Sequence, residues 1–246
     1  MYINTSGLVI RETAYKDSSK ILTVLTGSEG KLTVSARGAL RRNSKLAAVT
    51  QLLAYSEMTL SGTQDRWTLT EARSVEQFIG LRGDIILLSL GSYFAELAEA
   101  ASDEDSPSPE LLPLCLNALY ALSAGLKTPE YVKPAFELRL MSVSGFAPLI
   151  ESCQMCGKGE PEHALLDMSG GTVFCGEHAP ADATPLSPGA LRAMRHIINS
   201  DQKKIYSFSI SSESLGELTS AAEGYLLTHL DRRFRTLDYY KSIKPQ

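Results

Sequence analysis

The sequence predicts an α+β, multidomain chain: a small N-terminal β-barrel over residues 1–80, then a helical domain over residues 81–246 carrying a Cys/His-rich insertion at about 150–180. Three observations predict it. Short runs rich in Leu, Val, Ile and Thr, separated by turn residues, fill the first eighty positions. From about residue 82 the apolar spacing changes to three and four. Between residues 153 and 178, three cysteines and a histidine recur in two close pairs.

GLVIRE (7–12), KILTVLT (20–26) and KLTVSA (31–36) alternate partially with period two and read as strands. Gly27-Ser28-Glu29-Gly30 between the second and third suits a tight hairpin. LLAYSEMTL (52–60) and RWTLTEAR (66–73) follow, with a turn signal at Ser61-Gly62-Thr63-Gln64-Asp65. Five short strands with a longer connection between the third and fourth suit a closed Greek-key barrel of the OB type, a common oligonucleotide binder. Strand pattern alone does not separate it from an SH3-like barrel.

Asp84 is placed to cap a helix whose Ile86, Leu90, Phe94 and Leu97 form one apolar stripe. ASDEDSPSPE (101–110) reads as an exposed loop. Ser108-Pro109, Thr128-Pro129 and Ser187-Pro188 each pair an N-cap hydroxyl with a proline at the first helical position. Pro134 conflicts with the second of these, so that helix is expected to kink or to begin near Lys133, and to end near Gly145. A last helix is expected from about Ser214 to beyond His229.

The strongest local signal is CQMCGKGEPEHALLDMSGGTVFCGEH. Cys153 and Cys156 are separated by two residues, and Cys175 and His178 repeat that spacing after eighteen. Two tight turns, each offering two ligands, bring four N/S donors to one tetrahedral Zn²⁺. Gly157 and Gly176 are expected to let backbone amides approach the thiolates, and LLD-MSGG-TVF to form the hairpin that joins the pairs. His178 is the expected fourth ligand and His163 its alternative. Four protein ligands leave no place for a reactive water, so one structural Zn²⁺ is expected, supporting a core-poor segment. Cys115 reads as a buried small apolar residue.

The formal net charge is −4, yet residues 1–50 hold eight Lys/Arg against three acids, and residues 91–130 hold seven acids against Lys127 alone. Such a split points to two regions with different partners. Arg37, Arg41, Arg42 and Lys45 fall within nine residues, with Gly38 between the first two. On an OB-type barrel they would line the rim and pair with phosphates, with Lys16, Lys20 and Lys31 extending the track. Tyr15, Tyr55 and Trp67 are candidates for base stacking, each equally suited to the core. The bland alternative is a solvated basic loop. The start has no basic segment followed by an apolar run, and no stretch is long enough to span a bilayer, so a soluble, cytoplasmic protein is expected. No phosphate-loop, dinucleotide-binding, HExxH or GxSxG motif occurs, and a non-enzyme is favoured. His196 and His229 read as surface or capping residues.

SARGALRRNSK (35–45), FELRLMSVSGFAPLIESCQMCGK (136–158) and GYLLTHLDRRFRTLDYY (224–240) together resemble the bacterial recombination mediators of the RecO family, in order over essentially the full chain. The resemblance implies an N-terminal OB-fold, a helical domain and a zinc-ribbon element. It implies binding of single- and double-stranded DNA, annealing of complementary strands, and action with RecR to load RecA onto strands coated by single-stranded-DNA-binding protein (SSB), whose acidic C-terminal tail is the docking point. A nucleoid-associated place in the cytoplasm follows. It maps DNA contact onto Arg37, Gly38, Arg41, Arg42 and Lys45 and onto a C-terminal basic helix end at Arg232, Arg233 and Arg235. It maps zinc ligation onto Cys153, Cys156 and Cys175. An SSB-tail site is expected away from the acidic 91–130 region, near Arg139, Arg192 or Arg195. The alternative from another class is a zinc-stabilised protein–protein scaffold with incidental DNA binding.

Overall fold

The computed structural model describes residues 1–63, 66–104, 106–107, 109–161 and 163–244. Strands β1 (Tyr2–Tyr15), β2 (Ser19–Thr26), β3 (Lys31–Ala36), β4 (Tyr55–Thr63) and β5 (Arg66–Glu76) close into a barrel in the order β1-β2-β3-β5-β4. Only β3 and β5 pair in parallel, through Val34 and Trp67; this is OB topology and decides against an SH3-like barrel. β1 is twice as long as expected because it serves two neighbours. Its first half pairs with β4 and its second with β2, and a bulge between Val9 and Arg11 turns the strand from one to the other. At the bulge Val9 bonds instead to Leu53 and Ala54, the end of the β3–β4 connection. Gly7 stands where the halves meet, and a Cβ there would lie 2.3 Å from Val24 Cγ1.

The barrel core is Val9, Leu22, Val24, Leu32, Val34, Met58, Leu60, Trp67 and Leu69, with β3 alternating cleanly between buried and outward positions. The 27–30 hairpin forms as expected. Gly30 takes φ +70°, and the Thr26 hydroxyl accepts from the Glu29 amide and donates to Gly30 O. Of the next turn, Gln64 and Asp65 lie outside the described residues, and β4 meets β5 through Thr63 and Arg66.

Helices α1 (Ile79–Arg82) and α2 (Ile85–Ala101) follow. Asp84 caps α2, its carboxylate accepting from the amides of Ile86 and Leu87. Leu90, Phe94 and Leu97 are buried as the stripe requires. α3 (Leu111–Ser123) begins later than Pro109, with Glu110 at its N-cap; Ser108 lies outside the described residues. The first turn of α3 holds Pro113, where a missing amide proton costs nothing, so the chain uses the second proline and not the first. Lys31 donates to the carbonyls of Glu99 and Ser102, tying the barrel to the end of α2.

Packing groups residues 1–125 with 234–246, and residues 126–233 form a second compact unit. The change from strand to helix falls earlier, at residues 76–79. The second unit contains α4 (Pro129–Val143), β6 (Ala164–Asp167), β7 (Thr172–Cys175), β8 (Thr184–Leu186), α5 (Pro188–Asn199) and α6 (Ser212–Leu230). α4 starts at Pro129 and not near Lys133, because Thr128 O already accepts from the amides of Tyr131 and Val132. Its end at Gly145, φ +84°, is as expected. The expected last helix is two. Asp231, at φ +44°, stops α6, and α7 (Arg235–Ile243) packs on α2 in the first unit, its Thr236 amide held by Glu96.

Lys133 on α4 is buried between Glu137, 2.7 Å away, and Glu223 of α6, 2.8 Å away. Burial pushes the ammonium down, but the two carboxylates overcome it and leave Lys133 above its ordinary range. Removing one partner of such a group is far costlier than replacing the set by apolar side chains. Glu137→Ala is therefore expected to destabilise by about 3–5 kcal/mol in urea unfolding, and Lys133→Met/Glu137→Leu by much less. Among the described residues, no helix is long and apolar enough to cross a membrane.

Candidate metal centre and nucleic-acid interface

Cys153, Cys156, Cys175 and His178 converge, with their ligand atoms all within 4.8 Å of one another. The β6–β7 hairpin does this work: Ala164 pairs with Cys175, and Asp167 with Thr172. The 150–158 loop is stitched to β7 by the Gln154 amide bonding to Val173 O, which brings the first pair beside the second. Cys156 Sγ is 3.9 Å from Cys175 Sγ, and Cys153 Sγ is 4.0 Å from His178 Nδ1. A Zn²⁺ tetrahedron with bonds of about 2.3 Å has edges of about 3.8 Å, so the donors fit that ion; the Cys175 Sγ–His178 Nδ1 edge is tighter, at 3.0 Å. His163 is exposed and stands outside the cluster, whereas His178 is one of its four members.

The thiols also act on one another. Burial acts to raise the Cys153 thiol, but the backbone amides of Cys156, Cys175 and Met155 outweigh it and bring the group to about 6. The Lys158 amide lowers Cys156, yet its hydrogen bond to Cys153 and the charge there leave it raised. Thiols held this close are the type of donor set that a soft divalent ion such as Zn²⁺ takes as thiolates. Gly157 takes φ +73°, as the fold-back requires, whereas Gly176 lies outside the left-handed region and is not needed for the second turn. Cys115 is buried, its thiol pushed up to about 12 by desolvation. The segment is not core-poor as expected: Ile150, Ala164, Leu166, Val173 and Leu186 are all buried.

On the barrel, Arg37, Arg41, Arg42 and Lys45 are exposed, and no described residue pairs with their side-chain charges. Their loop is nevertheless well rooted. Ala39, Val49, Thr50 and Leu53 are buried, the Leu40 amide bonds to Ser18 O, and Gly38 takes φ +71° against the Arg41 stem. Lys20 belongs to this root and not to the track. It pairs with Glu12 and donates to Thr50 O, while Glu12 also accepts from the Leu52 amide. Lys31, spent on α2, is likewise withdrawn.

A groove of about 600 Å³ crosses the outer face of β2 and β3, lined by Tyr15, Lys16, Ser19, Ile21, Thr33, Ser35, Arg37, Arg66, Trp67 and Thr68. This is the face, with its flanking loops, on which OB-folds hold oligonucleotides. Tyr15 is exposed under the Lys16 ammonium, 5.2 Å from the ring, and is the stacking candidate; Trp67 is mostly core at 6% exposed. Tyr55, at the start of β4, does not line the groove. Arg66 and the hydroxyls of Ser19, Thr33, Ser35 and Thr68 escaped the sequence reading. Alternation along β3 was the available signal, since Thr33 and Ser35 are the outward residues between buried Leu32, Val34 and Ala36. A hollow of about 640 Å³ on β1, β4 and β5 is no rival: Glu57 and Glu71 line it, and Arg73 is spent on Glu57.

Arg232, Arg233 and Arg235 are exposed; the first two lie on the turn just after α6, and Arg235 opens α7. The division between the compact units falls after Arg233. Arg139 is turned inward to Ile198 O, and Arg195 donates to the carbonyls of Ile150, Glu151 and Gly159, so of the three cations suggested for an acidic tail only Arg192 is exposed. His196 and His229 are structural, bonding to Lys204 O and Met168 O.

Two family descriptions match the chain: Recombination protein O N terminal over residues 1–78, and Recombination protein O C terminal over residues 82–238. The DNA repair protein RecO of Acetivibrio thermocellus is 32% identical over 244 residues, covering 98% of this chain and 97% of that protein. The DNA repair proteins RecO of Symbiobacterium thermophilum and Caldicellulosiruptor saccharolyticus are 29% and 28% identical, each covering at least 97% of both chains.

Proposed function

The chain belongs to the RecO family, whose role lies in DNA repair and recombination, and from that premise we propose that it is a recombination mediator performing no covalent chemistry. It binds single- and double-stranded DNA, anneals complementary strands, and acts with RecR to help load RecA onto SSB-coated single strands in the cytoplasm, at the nucleoid. The observation that carries this reading is the convergence of Lys16, Arg37 and Arg66 with Tyr15 on the oligonucleotide face of an OB barrel, beside a rooted loop bearing Arg41, Arg42 and Lys45. Guanidinium and ammonium groups gather two strands and screen their repulsion, and base pairing then drives annealing. One structural Zn²⁺ at Cys153, Cys156, Cys175 and His178 holds the ribbon.

The test is annealing of complementary oligonucleotides precoated with cognate SSB across a salt series. We expect acceleration that falls steeply with salt. No acceleration at any salt would leave the groove without this use and sink the annealing proposal.

A further inference from the structure

Arg195 is two-thirds of the way along α5, a helix anchored by buried Ala190, Leu191, Ala193, Met194 and Ile197. Its guanidinium reaches out of that rigid platform to three backbone carbonyls. Nε donates to Ile150 O at 2.8 Å, and Nη2 donates to Glu151 O at 2.8 Å and to Gly159 O at 2.7 Å. Ile150 and Glu151 precede Cys153, and Gly159 follows Cys156. One planar group therefore crosses the neck of the loop that carries the first ligand pair, joining its entry to its exit. Inside the neck the loop is closed again, by the Cys153 amide to Lys158 O and the Gly157 amide to Cys153 O. Asn199, one turn further along α5, adds a bond from Nδ2 to the Glu151 carboxylate.

We propose that Arg195 is a positioning residue for the metal centre, holding the neck of the Cys153–Cys156 loop shut so that both thiolates face Cys175 and His178 before the ion arrives. This rests on the metal reading above. A planar fork holds three carbonyls on two chain segments in one fixed geometry, where an ammonium on a flexible stem fixes them less firmly. Without the fork, the loop must be ordered at the moment of binding, and metal affinity falls by the cost of that ordering. Coupling is reciprocal, so the bound ion in turn secures the neck against α5.

The test compares wild type, Arg195→Met, Arg195→Lys and the exposed-site control Arg192→Met in the full chain. Zinc release to a chromogenic chelator and the absorption spectrum of the cobalt-loaded protein are read beside the melting temperature of the metal-free form. Arg195→Met is expected to bind zinc about 10- to 100-fold more weakly, as loss of an outer-shell support does. Arg195→Lys should fall between it and wild type, and Arg192→Met should match wild type. A merely architectural arginine would lower the metal-free melting temperature while leaving affinity and cobalt spectrum unchanged, and that result overturns the proposal. Should Arg195→Met not fold, wild-type affinity in Arg195→Lys overturns it equally. Wild type that takes up no metal removes the metal centre itself, and the positioning role with it.

Discussion

Cys175→Ala is expected to abolish stoichiometric zinc and to open the two ligand turns to protease, with cleavage between residues 150 and 163 or between 176 and 183. Structural zinc sites contribute on the order of 10 kcal/mol at neutral pH, comparable to the whole stability of a domain. The contribution is not all of what holds this segment, however. Ile150, Leu166, Val173 and Leu186 are buried, and at about 1.5–3 kcal/mol each their burial is of similar size. The sheet is therefore expected to persist loosely and the helices to keep their circular dichroism. The turns, which own the ligands and few apolar contacts, fail first. Chelation of the wild type should reproduce the pattern. An unchanged protease map and one zinc per chain in Cys175→Ala would remove this cysteine from the site.

Acid should act on the same centre. In the metal-free protein, Cys153 falls from the ordinary value of 9.0 to about 6 on folding. A lowered value means that its thiolate stabilises the fold fully above about 9 and that this is lost as the pH falls through about 6. Zinc affinity should also weaken as the solution is acidified, since protons compete for the thiolates.

What was legible in the sequence was what local chemistry decides. The 27–30 hairpin, the Asp84 cap and the Cys/His turns depend on residues a few positions apart, and each formed where expected. Lys20 and Lys31 were misread because their partners lie outside the local window: Thr50 for one, Glu99 and Ser102 for the other. A cation on a strand looks the same in sequence whether it faces phosphate or a carbonyl. For Pro134 the late start near Lys133 fails and the alternative of a kink stays open, since α4 runs from Pro129 with the proline inside it. Arg195 was visible only as a surface-like cation, because no local pattern announces a guanidinium that binds three carbonyls about forty residues away.

The distinction between rooted and free cations gives the second large effect. Arg41→Glu/Arg42→Glu is expected to weaken single-strand binding by roughly 10²- to 10⁴-fold, two charge-assisted contacts of about 1.5–3 kcal/mol each. Annealing should collapse with it. Contact with about four phosphates gives a slope of log K against log salt near −3 for a single strand, and loss of two should roughly halve it. Lys20→Met separates phosphate contact from general charge. Lys20 carries the same formal charge but is committed to Glu12 and Thr50 O, so its loss should lower the melting temperature and leave the salt slope unchanged. Equal slopes in wild type and the double variant would mean that the loop meets no phosphates. A basic segment so firmly rooted would then have to serve an acidic protein surface, which is the scaffold reading. The same double variant decides between them: collapse of annealing fits the mediator, whereas unchanged annealing with RecR binding surviving fits the scaffold, whose basic loop then serves another acidic partner.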